Sequence, residues 1–258
     1  MPETDLALLT RAALAAGEVA LRFFRADATY WDKGDGQGPV SEADLAVNTL
    51  LRETLGAARP DYGWLSEESD DDAARLGARR VFVIDPIDGT RAFLDGHENF
   101  SHSLAVVEDG VPVAGVVHLP AKGQTYAATR GAGATLNGHS IAPTGRRNLA
   151  GARVLAARPT WESRHWPQGV PDVKRAFRSS LAYRLATVAA GRFDAMITLR
   201  NCWEWDLAAG DVICREAGAR VATVAGALPA YNSPGAQVPG IVAATPDVGA
   251  ALLSQVRR

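Results

Sequence analysis

The sequence predicts a protein of mixed α and β structure, with an α+β first half and an α/β second half. Apolar residues recur at helical spacing over residues 5–24. Two apolar, β-branched runs, 101–107 and 111–119, flank Glu108-Asp109-Gly110, which is typical of a β-hairpin. Beyond residue 151, strand and helix patterns alternate, which favours an α/β arrangement.

The first half is expected to pack two helices on a largely antiparallel sheet. The first helix covers Asp5 to Phe24, and a loop rich in glycine and aspartate, Trp31 to Pro39, follows it. Ser41 has the pattern of a helix N-cap, with Asp44 three residues later in a variant of the capping box. We therefore predict a second helix that continues through Leu55.

The second half begins after a linker rich in arginine, glycine and asparagine, Thr144 to Gly151. The sequence therefore predicts two parts, residues 1–145, with most of the acidic site, and residues 146–258, which close it. The predicted elements of the second part are strands at 153–157, 193–199 and 241–244 and helices at 180–190 and 206–217.

Charge and composition exclude several classes of function. The formal net charge of −2 gives no basic field that would recruit a nucleic-acid polymer. The two cysteines, Cys202 and Cys214, are too few for a disulfide scaffold and are not spaced as metal ligands. No apolar run is long enough to span a membrane, and the acidic N-terminus has no signal-peptide pattern. We expect a cytoplasmic enzyme.

A β-branched strand that leads into two aspartates is the strongest functional signal. Val81-Phe82-Val83-Ile84 continues directly into Asp85-Pro86-Ile87-Asp88-Gly89-Thr90. Negative charge at the end of a buried strand is costly without cations or hydrogen bonds to compensate it. Mg²⁺ prefers carboxylate and carbonyl oxygens. The Gly89-Thr90 step adds backbone N–H groups and a hydroxyl that suit a phosphate.

Three further acidic segments are far apart in sequence and can meet only through folding. They are Pro39-Val40-Ser41-Glu42-Ala43-Asp44, Trp64-Leu65-Ser66-Glu67-Glu68-Ser69 and Trp203-Glu204-Trp205-Asp206-Leu207-Ala208-Ala209-Gly210. The last of these opens an alanine-rich helical stretch, with Asp206 near its start.

These four segments, in this order, resemble the inositol monophosphatase superfamily of metal-dependent, lithium-sensitive phosphatases. The resemblance extends from the first helix to the helix that follows Asp206. It implies a layered α-β-α-β-α sandwich with the metal site between the two halves. Members of the family commonly form dimers, so a homodimer is compatible with the sequence.

The resemblance also implies roles for individual residues. The ligands that it implies for two Mg²⁺ ions are Glu67, Asp85, the Ile87 carbonyl, Asp88 and Asp206. A third and weaker ion would lie near Asp44. In the alternative interpretation, Asp85 only caps a turn and Asp206 only caps a helix, since aspartate is a favoured capping residue.

By the same resemblance, Thr90 and Asp44 form a catalytic pair that orients or deprotonates a water at the metal, with Glu67 as the third catalytic residue. The residues that would contact the phosphorylated substrate are Asp88, Gly89, Thr90 and Asp206. Thr90 could instead be an ordinary helix N-cap, and the two roles are compatible, because phosphate oxygens are favoured at helix N-termini.

Several neighbours of these motifs have less definite predictions. Glu68 is expected either to face away from Glu67, because alternate strand residues point in opposite directions, or to support the site indirectly. Lys33 is either a residue that folds over the phosphate or a solvated charge. His97 and His102 are expected in packing or surface roles. The tryptophans of Trp203-Glu204-Trp205 are expected to anchor the core around Asp206.

The substrate is the least determined property. Ser179-Ser180-Leu181-Ala182-Tyr183 resembles a stretch of bacterial 3′(2′),5′-bisphosphate nucleotidases. The apolar Met196-Ile197-Thr198-Leu199 followed by Arg200 favours a phosphorylated or aromatic ligand over a bare polyol. Arg91-Ala92-Phe93 instead resembles the histidinol-phosphate branch. The first hypothesis is hydrolysis of 3′-phosphoadenosine 5′-phosphate. The alternatives are inositol 1-phosphate or histidinol phosphate as substrate, and, more remotely, an inactive relative that binds phosphorylated ligands.

Overall fold

The computed structural model describes residues 3–26, 28–34 and 38–257. Met1 and Pro2 of the predicted acidic N-terminus, and residues 35–37 of the predicted glycine-rich loop, lie outside these ranges. In chain order the helices and strands are α1 (Asp5–Phe23), β1 (Tyr30–Asp32), β2 (Pro39–Ser41), α2 (Glu42–Ala58), β3 (Gly63–Ser66), β4 (Arg80–Asp88), α3 (Thr90–Leu94), β5 (Ser101–Glu108), β6 (Val111–Leu119), β7 (Gln124–Thr129), β8 (Ala134–Leu136), β9 (His139–Ser140), β10 (Arg153–Leu155), β11 (Lys174–Ala176), α4 (Leu181–Ala189), β12 (Ala195–Trp203), α5 (Glu204–Ala217), β13 (Arg220–Thr223), β14 (Gln237–Ala244) and α6 (Pro246–Gln255).

Two larger sheets form the framework. The seven-stranded sheet has the order β3-β4-β5-β6-β7-β8-β9, and only its β3–β4 pair is parallel. The five-stranded sheet has the order β11-β10-β12-β14-β13, with β10 parallel to both β11 and β12. Its β12–β14 and β13–β14 pairs are antiparallel. Strands β1 and β2 pair separately as an antiparallel hairpin.

The helices and sheets stack in five layers. Helices α1 and α2 pack together against the seven-stranded sheet. Helices α4 and α5 lie between the two sheets, and α5 contacts strands of both. Helix α6 covers the outer side of the five-stranded sheet. This arrangement confirms the predicted α-β-α-β-α sandwich. Whether residues 1–145 and 146–258 form separate domains stays a prediction, because α5 contributes to a core that both sheets share.

Small residues let α5 approach its neighbours closely. A Cβ atom on Gly115 of β6 would lie 2.6 Å from Val212 Cγ1, and one on Gly210 would lie 2.5 Å from the Leu185 side chain of α4. Either contact is too short for a real Cβ, so the glycines are needed for this packing. Close packing at Gly115 holds α5, whose first turn carries Asp206, against the seven-stranded sheet, and close packing at Gly210 holds it against α4.

The observed elements differ from the predicted ones mainly in the second half. Strand β12 continues four residues beyond Leu199, and α5 begins at Glu204 rather than Asp206. Strands β11 and β13 have three and four residues, which is too short for a periodic signal. Among the described residues, no helix has both the length and the apolar character that crossing a bilayer requires.

Two buried histidines pair across β5 and β6. His102 lies opposite His118 in the strand register, and their rings stack with centroids 6.0 Å apart. Burial lowers the pKa of His102 to about 3 and that of His118 to about 4. Both imidazoles are therefore neutral in the folded protein at pH 7, whereas in the unfolded chain they gain protons near pH 6.5.

This pair predicts a loss of stability in acid. A histidine whose folded pKa is depressed stabilises the fold above its unfolded pKa, and the contribution is lost as pH falls toward the folded pKa. For His118 the loss between pH 6.5 and 4.5 is about 2 kcal/mol. We expect the free energy of unfolding, measured by urea unfolding, to fall between these two pH values in both proteins. The fall should be larger in the wild type than in His118→Asn by the amount that His118 contributes. An equal fall in both proteins would contradict the depressed pKa.

Candidate active site

A cleft of about 490 Å³ lies where β4, β12 and the first turns of α3 and α5 meet. The residues of the predicted site that line it are Glu67, Asp85, Ile87, Asp88, Gly89, Thr90 and Asp206. Asp44 lies behind Thr90 and is buried. The fold therefore brings together residues that are far apart in the sequence: Glu67 and Asp206 are separated by more than 130 residues.

A bulge in β4 shapes the floor of the cleft. Asp85 pairs with Ser103 and Asp88 pairs with Ser101, so two β4 residues between them face the single residue His102 on β5. The strand ends at the aspartates, as the sequence predicts: pairing resumes after the bulge, and Asp88 is the last residue of β4. Bulges bend a strand and redirect its side chains, which places both carboxylates on the cleft.

Three carboxylates converge in the cleft, and the charges of Arg184 near Asp88 and Arg200 near Asp206 compensate them only in part. Asp85, Asp88 and Asp206 each offer an oxygen, and these oxygens lie within 4.8 Å of one another. Burial raises the pKa of Asp85 well above its ordinary value, and the charges of Glu67 and Asp88 raise it further. Burial, with the charges of Asp88 and Glu67, does the same to the pKa of Asp206.

This donor set fits a hard divalent cation. Asp85 is 1% exposed, and its Oδ1 atom has no hydrogen-bond partner among the described residues. A buried carboxylate oxygen without a donor is strongly disfavoured unless a cation occupies the space beside it. Because the donors are all carboxylate or carbonyl oxygens, the site suits Mg²⁺ better than a softer metal.

Asp88 is held from the second half of the chain. Its Oδ2 atom accepts hydrogen bonds from Ser180 Oγ and from the Ala182 backbone N–H, each at 2.6 Å. Ser180 is also the N-cap of α4, where its Oγ accepts from the Tyr183 N–H at 2.9 Å. Burial raises the pKa of Asp88, against the lowering effect of these hydrogen bonds. The Ser179–Tyr183 stretch therefore orients one acidic side chain of the cleft.

Thr90 and Asp44 are in direct contact. Thr90 Oγ1 lies 3.1 Å from Asp44 Oδ1 and 3.1 Å from the Ile87 carbonyl oxygen. Asp44 Oδ2 accepts from the Ser41 N–H at 2.8 Å and from Ser41 Oγ at 2.6 Å, which confirms Ser41 as the cap of α2. Burial raises the pKa of Asp44, although these hydrogen bonds act in the opposite direction.

The N-cap of α3 is Gly89 and not Thr90, which is the first residue inside the helix. Gly89 has φ 97° and ψ 37°, a left-handed conformation that favours glycine. A Cβ there would also lie 3.3 Å from the Asn99 carbonyl oxygen. The left-handed turn frees the Thr90 hydroxyl from capping and leaves it directed at Asp44.

Of the two predictions for Glu68, that it faces away from Glu67 is wrong, whereas its contact with the lysine that also binds Glu67 fits indirect support of the site. Lys33 Nζ lies 3.0 Å from Glu67 Oε1 and 2.5 Å from Glu68 Oε1, so both carboxylates reach the same ammonium group. Strand alternation does not apply, because β3 ends at Ser66 and both glutamates lie in the turn after it. Burial, together with the charge of Glu67, raises the pKa of Glu68 to about 7.

Lys33 is neither a free surface charge nor, in this structure, a group extended over the cleft. Its side chain is 14% exposed and is paired with the two glutamates. Burial lowers the pKa of Lys33, but the carboxylates of Glu67 and Glu68 raise it by more. Its ammonium group therefore neutralises the acidic turn beside the three aspartates.

The cleft wall contains residues that the sequence analysis did not single out as site residues. Trp203 stacks on Trp205 with centroids 4.7 Å apart and also lines the cleft, so it has a second surface besides its core contacts. Phe177, 53% exposed, lies on the same cleft. No local pattern indicates that an exposed aromatic faces a site, because exposure depends on the packing of distant segments. The remaining polar residues of the wall include Arg91, His97, Ser179 and Arg200.

The whole chain, residues 1–258, matches the model of the inositol monophosphatase family. The chain belongs to this family. This inositol monophosphatase family member is therefore a metal-dependent phosphomonoesterase, and the acidic cluster is its candidate metal centre.

Two named relatives and one solved structure show which members of the family this chain is similar to. It is 39% identical to an inositol-1-monophosphatase of Rhizobium meliloti over 69% of this chain and 70% of that protein. It is 35% identical to a histidinol-phosphatase of Mycobacterium tuberculosis over 88% of this chain and 90% of that protein. The crystal structure of the extragenic suppressor protein suhB from Bartonella henselae has a TM-score of 0.83 at 29% identity and covers 96% of both chains.

These names bear on the predicted branch of the family. The relatives that we name are an inositol monophosphatase, a suhB protein and a histidinol-phosphatase. The resemblance to bisphosphate nucleotidases, which rested on residues 179–183, has no counterpart among them. In the structure, Ser180 Oγ and the Ala182 backbone N–H of this stretch donate hydrogen bonds to Asp88 of the protein itself.

Proposed function

We propose that this enzyme hydrolyses the phosphate monoester of a small hydroxylated alcohol, with inositol 1-phosphate as the first candidate substrate. The observation that carries the proposal is the cluster of Asp85, Asp88 and Asp206 with its unpartnered Asp85 Oδ1. The choice of alcohol is supported by the inositol-1-monophosphatase relative of Rhizobium meliloti. It replaces 3′-phosphoadenosine 5′-phosphate, our first hypothesis from the sequence.

Histidinol phosphate is the second candidate. The relative from Mycobacterium tuberculosis supports it, and so does the Arg91-Ala92-Phe93 run after Thr90. The aromatic side chains of Phe177 and Trp203 on the cleft would suit a planar imidazole ring. Arg200 on the same wall would repel the amino group of histidinol, so we place this candidate second.

The metal ligands in this proposal are Glu67, Asp85, the Ile87 carbonyl, Asp88 and Asp206. When bound, Mg²⁺ would neutralise the phosphoryl oxygens and make a water more acidic. The chain contributes the rest of the site. Asp88 is fixed by Ser180, and Glu67 is the acidic residue of the cleft that Lys33 contacts.

Thr90 and Asp44 would orient the attacking water. Thr90 Oγ1 donates its proton to Asp44 Oδ1, so the lone pairs of the hydroxyl oxygen can accept a hydrogen bond from the water. The raised pKa of Asp44 suits a carboxylate that takes up a proton through Thr90. The backbone N–H groups of Gly89 and Thr90 would bind phosphate oxygens. A cytoplasmic location and a homodimer stay predictions.

A phosphate-release panel tests the substrate. Inositol 1-phosphate, histidinol phosphate and 3′-phosphoadenosine 5′-phosphate are compared with and without Mg²⁺. We expect Mg²⁺-dependent release, with kcat/KM for inositol 1-phosphate at least about tenfold above the others, since polar contacts to substrate hydroxyls discriminate strongly. Fastest release from the bisphosphate would restore the nucleotidase hypothesis. Saturable binding with no release from any ester would indicate an inactive relative.

A further inference from the structure

One buried histidine lies directly behind the bulge that shapes the acidic site. In the pairing of β4 with β5, Pro86 and Ile87 both lie opposite His102. His102 is 0% exposed, and its Nδ1 atom is hydrogen-bonded to the Pro86 carbonyl oxygen. Because a carbonyl only accepts, Nδ1 carries the proton.

The carbonyl groups of the two bulge residues have different neighbours. His102 binds the Pro86 carbonyl, and the Ile87 carbonyl oxygen lies 3.1 Å from Thr90 Oγ1. The peptide unit that contains the Pro86 carbonyl is planar and rigid. Fixing it therefore restricts the directions of the Ile87 carbonyl and of the flanking carboxylates.

Packing alone does not account for an imidazole at this position. Its Nε2 atom is buried and has no hydrogen-bond partner among the described residues. The ring stacks on His118, and an apolar ring of similar size would fill the same space without an unpaired nitrogen. The feature of His102 that an apolar ring lacks is the N–H group donated to Pro86. Burial lowers the pKa of His102 to about 3, so this group stays in its neutral form at pH 7.

We propose that His102 is a positioning residue for the metal ligands, which holds the Pro86 carbonyl so that Asp85, Ile87 and Asp88 keep their places in the bulge. The inference rests on the proposed metal roles of these three residues. His102 does not line the cleft, so its effect on the reaction is indirect. It acts through the backbone of the β4 bulge.

Three substitutions test the proposal through Mg²⁺ binding rather than turnover. His102→Phe keeps the ring and removes the donor. His102→Asn places an amide N–H near the position of Nδ1, whereas His102→Gln places it near the position of Nε2. Mg²⁺ affinity is measured by calorimetry on the full chain, and the melting temperature is recorded without metal.

We expect His102→Phe and His102→Gln to weaken Mg²⁺ binding by about 10- to 100-fold, as loss of groups that orient metal ligands does. His102→Asn should bind within about threefold of the wild type. If His102→Phe bound Mg²⁺ with wild-type affinity and only its melting temperature fell, His102 would be a packing residue. Equal losses in the Asn and Gln variants would also overturn the proposal, and this comparison stands if the Phe variant fails to fold. A wild-type protein that binds no Mg²⁺ would overturn the proposed metal site itself.

Discussion

Asp85→Asn is expected to lower Mg²⁺-dependent phosphate release by about a thousandfold or more. The substitution removes a ligand charge and almost no volume, and metal stabilisation of transition-state charge contributes several kcal/mol. Asp85 is the member of the cluster whose Oδ1 lacks a partner, so no hydrogen bond would substitute for the lost interaction. The measurement is the steady-state rate across a range of Mg²⁺ concentrations with inositol 1-phosphate.

The same substitution should stabilise the metal-free protein. The pKa of Asp85 is raised well above its ordinary value, by burial and by the neighbouring carboxylates. The stability that a group with a raised folded pKa contributes is fully present below its unfolded pKa and is lost as the pH rises through its folded pKa. At pH 7 the aspartate therefore costs stability, and the asparagine should recover about 1–2 kcal/mol, as measured by urea unfolding in EDTA.

Asp70→Asn is the matched control, because Asp70 is exposed on the acidic loop after Glu68 and does not line the cleft. It should change neither the rate nor the stability by a measurable amount. If Asp85→Asn kept wild-type turnover, the metal-ligand role of Asp85 would be wrong. If it lost turnover together with its fold, the stability measurement would reveal a structural role instead.

Thr90→Ala is expected to lower kcat by about 100- to 10,000-fold, the range for loss of a positioned proton-transfer group, while Mg²⁺ affinity is largely kept. The hydroxyl contacts Asp44 Oδ1 and the Ile87 carbonyl oxygen, each at 3.1 Å. Without the Thr90 hydroxyl, the Asp44 carboxylate has no group that connects it to the cleft. Because Gly89 and not Thr90 caps α3, the helix should survive the change.

Thr90→Ser separates the hydroxyl from the methyl group of the same residue. Serine keeps the donor to Asp44, so its kcat should lie within about tenfold of the wild type. Calorimetry with Mg²⁺ on all three proteins distinguishes the roles. A large loss of Mg²⁺ affinity in Thr90→Ala would make Thr90 a support for the Ile87 carbonyl. Equal kcat in the alanine and wild-type proteins would remove it from the reaction.

The acidic motifs could be predicted from local sequence because the signals that carry them are local. A β-branched run followed by Asp85-Pro86-Ile87-Asp88 indicates a buried strand with ligand-type side chains wherever it occurs. Similarly, Ser41 with Asp44 indicates a helix start, and α2 begins there. The family resemblance added the order of layers, which periodicity did not determine.

Other features could not be predicted, since their partners are distant in sequence. Ser180 and Asp88 are 92 residues apart, and only the packing of α4 between the sheets brings Ser180 to the cleft. The orientation of Glu68 depends on where β3 ends, which is a matter of pairing with β4. The alternation rule failed there because it holds only within a strand.

The sequence by itself determined which residue types are available for a metal and phosphate site, since strand and helix patterns and the spacing of acids are properties of short segments. Only the tertiary structure decided how these side chains are held. Lys33 forms ion pairs with two glutamates, Ser180 donates a hydrogen bond to Asp88, and His102 is hydrogen-bonded to the backbone of the bulge. The physical reason is that hydrogen bonds and ion pairs depend on distances of a few ångström between groups, and chain folding, not sequence separation, sets those distances.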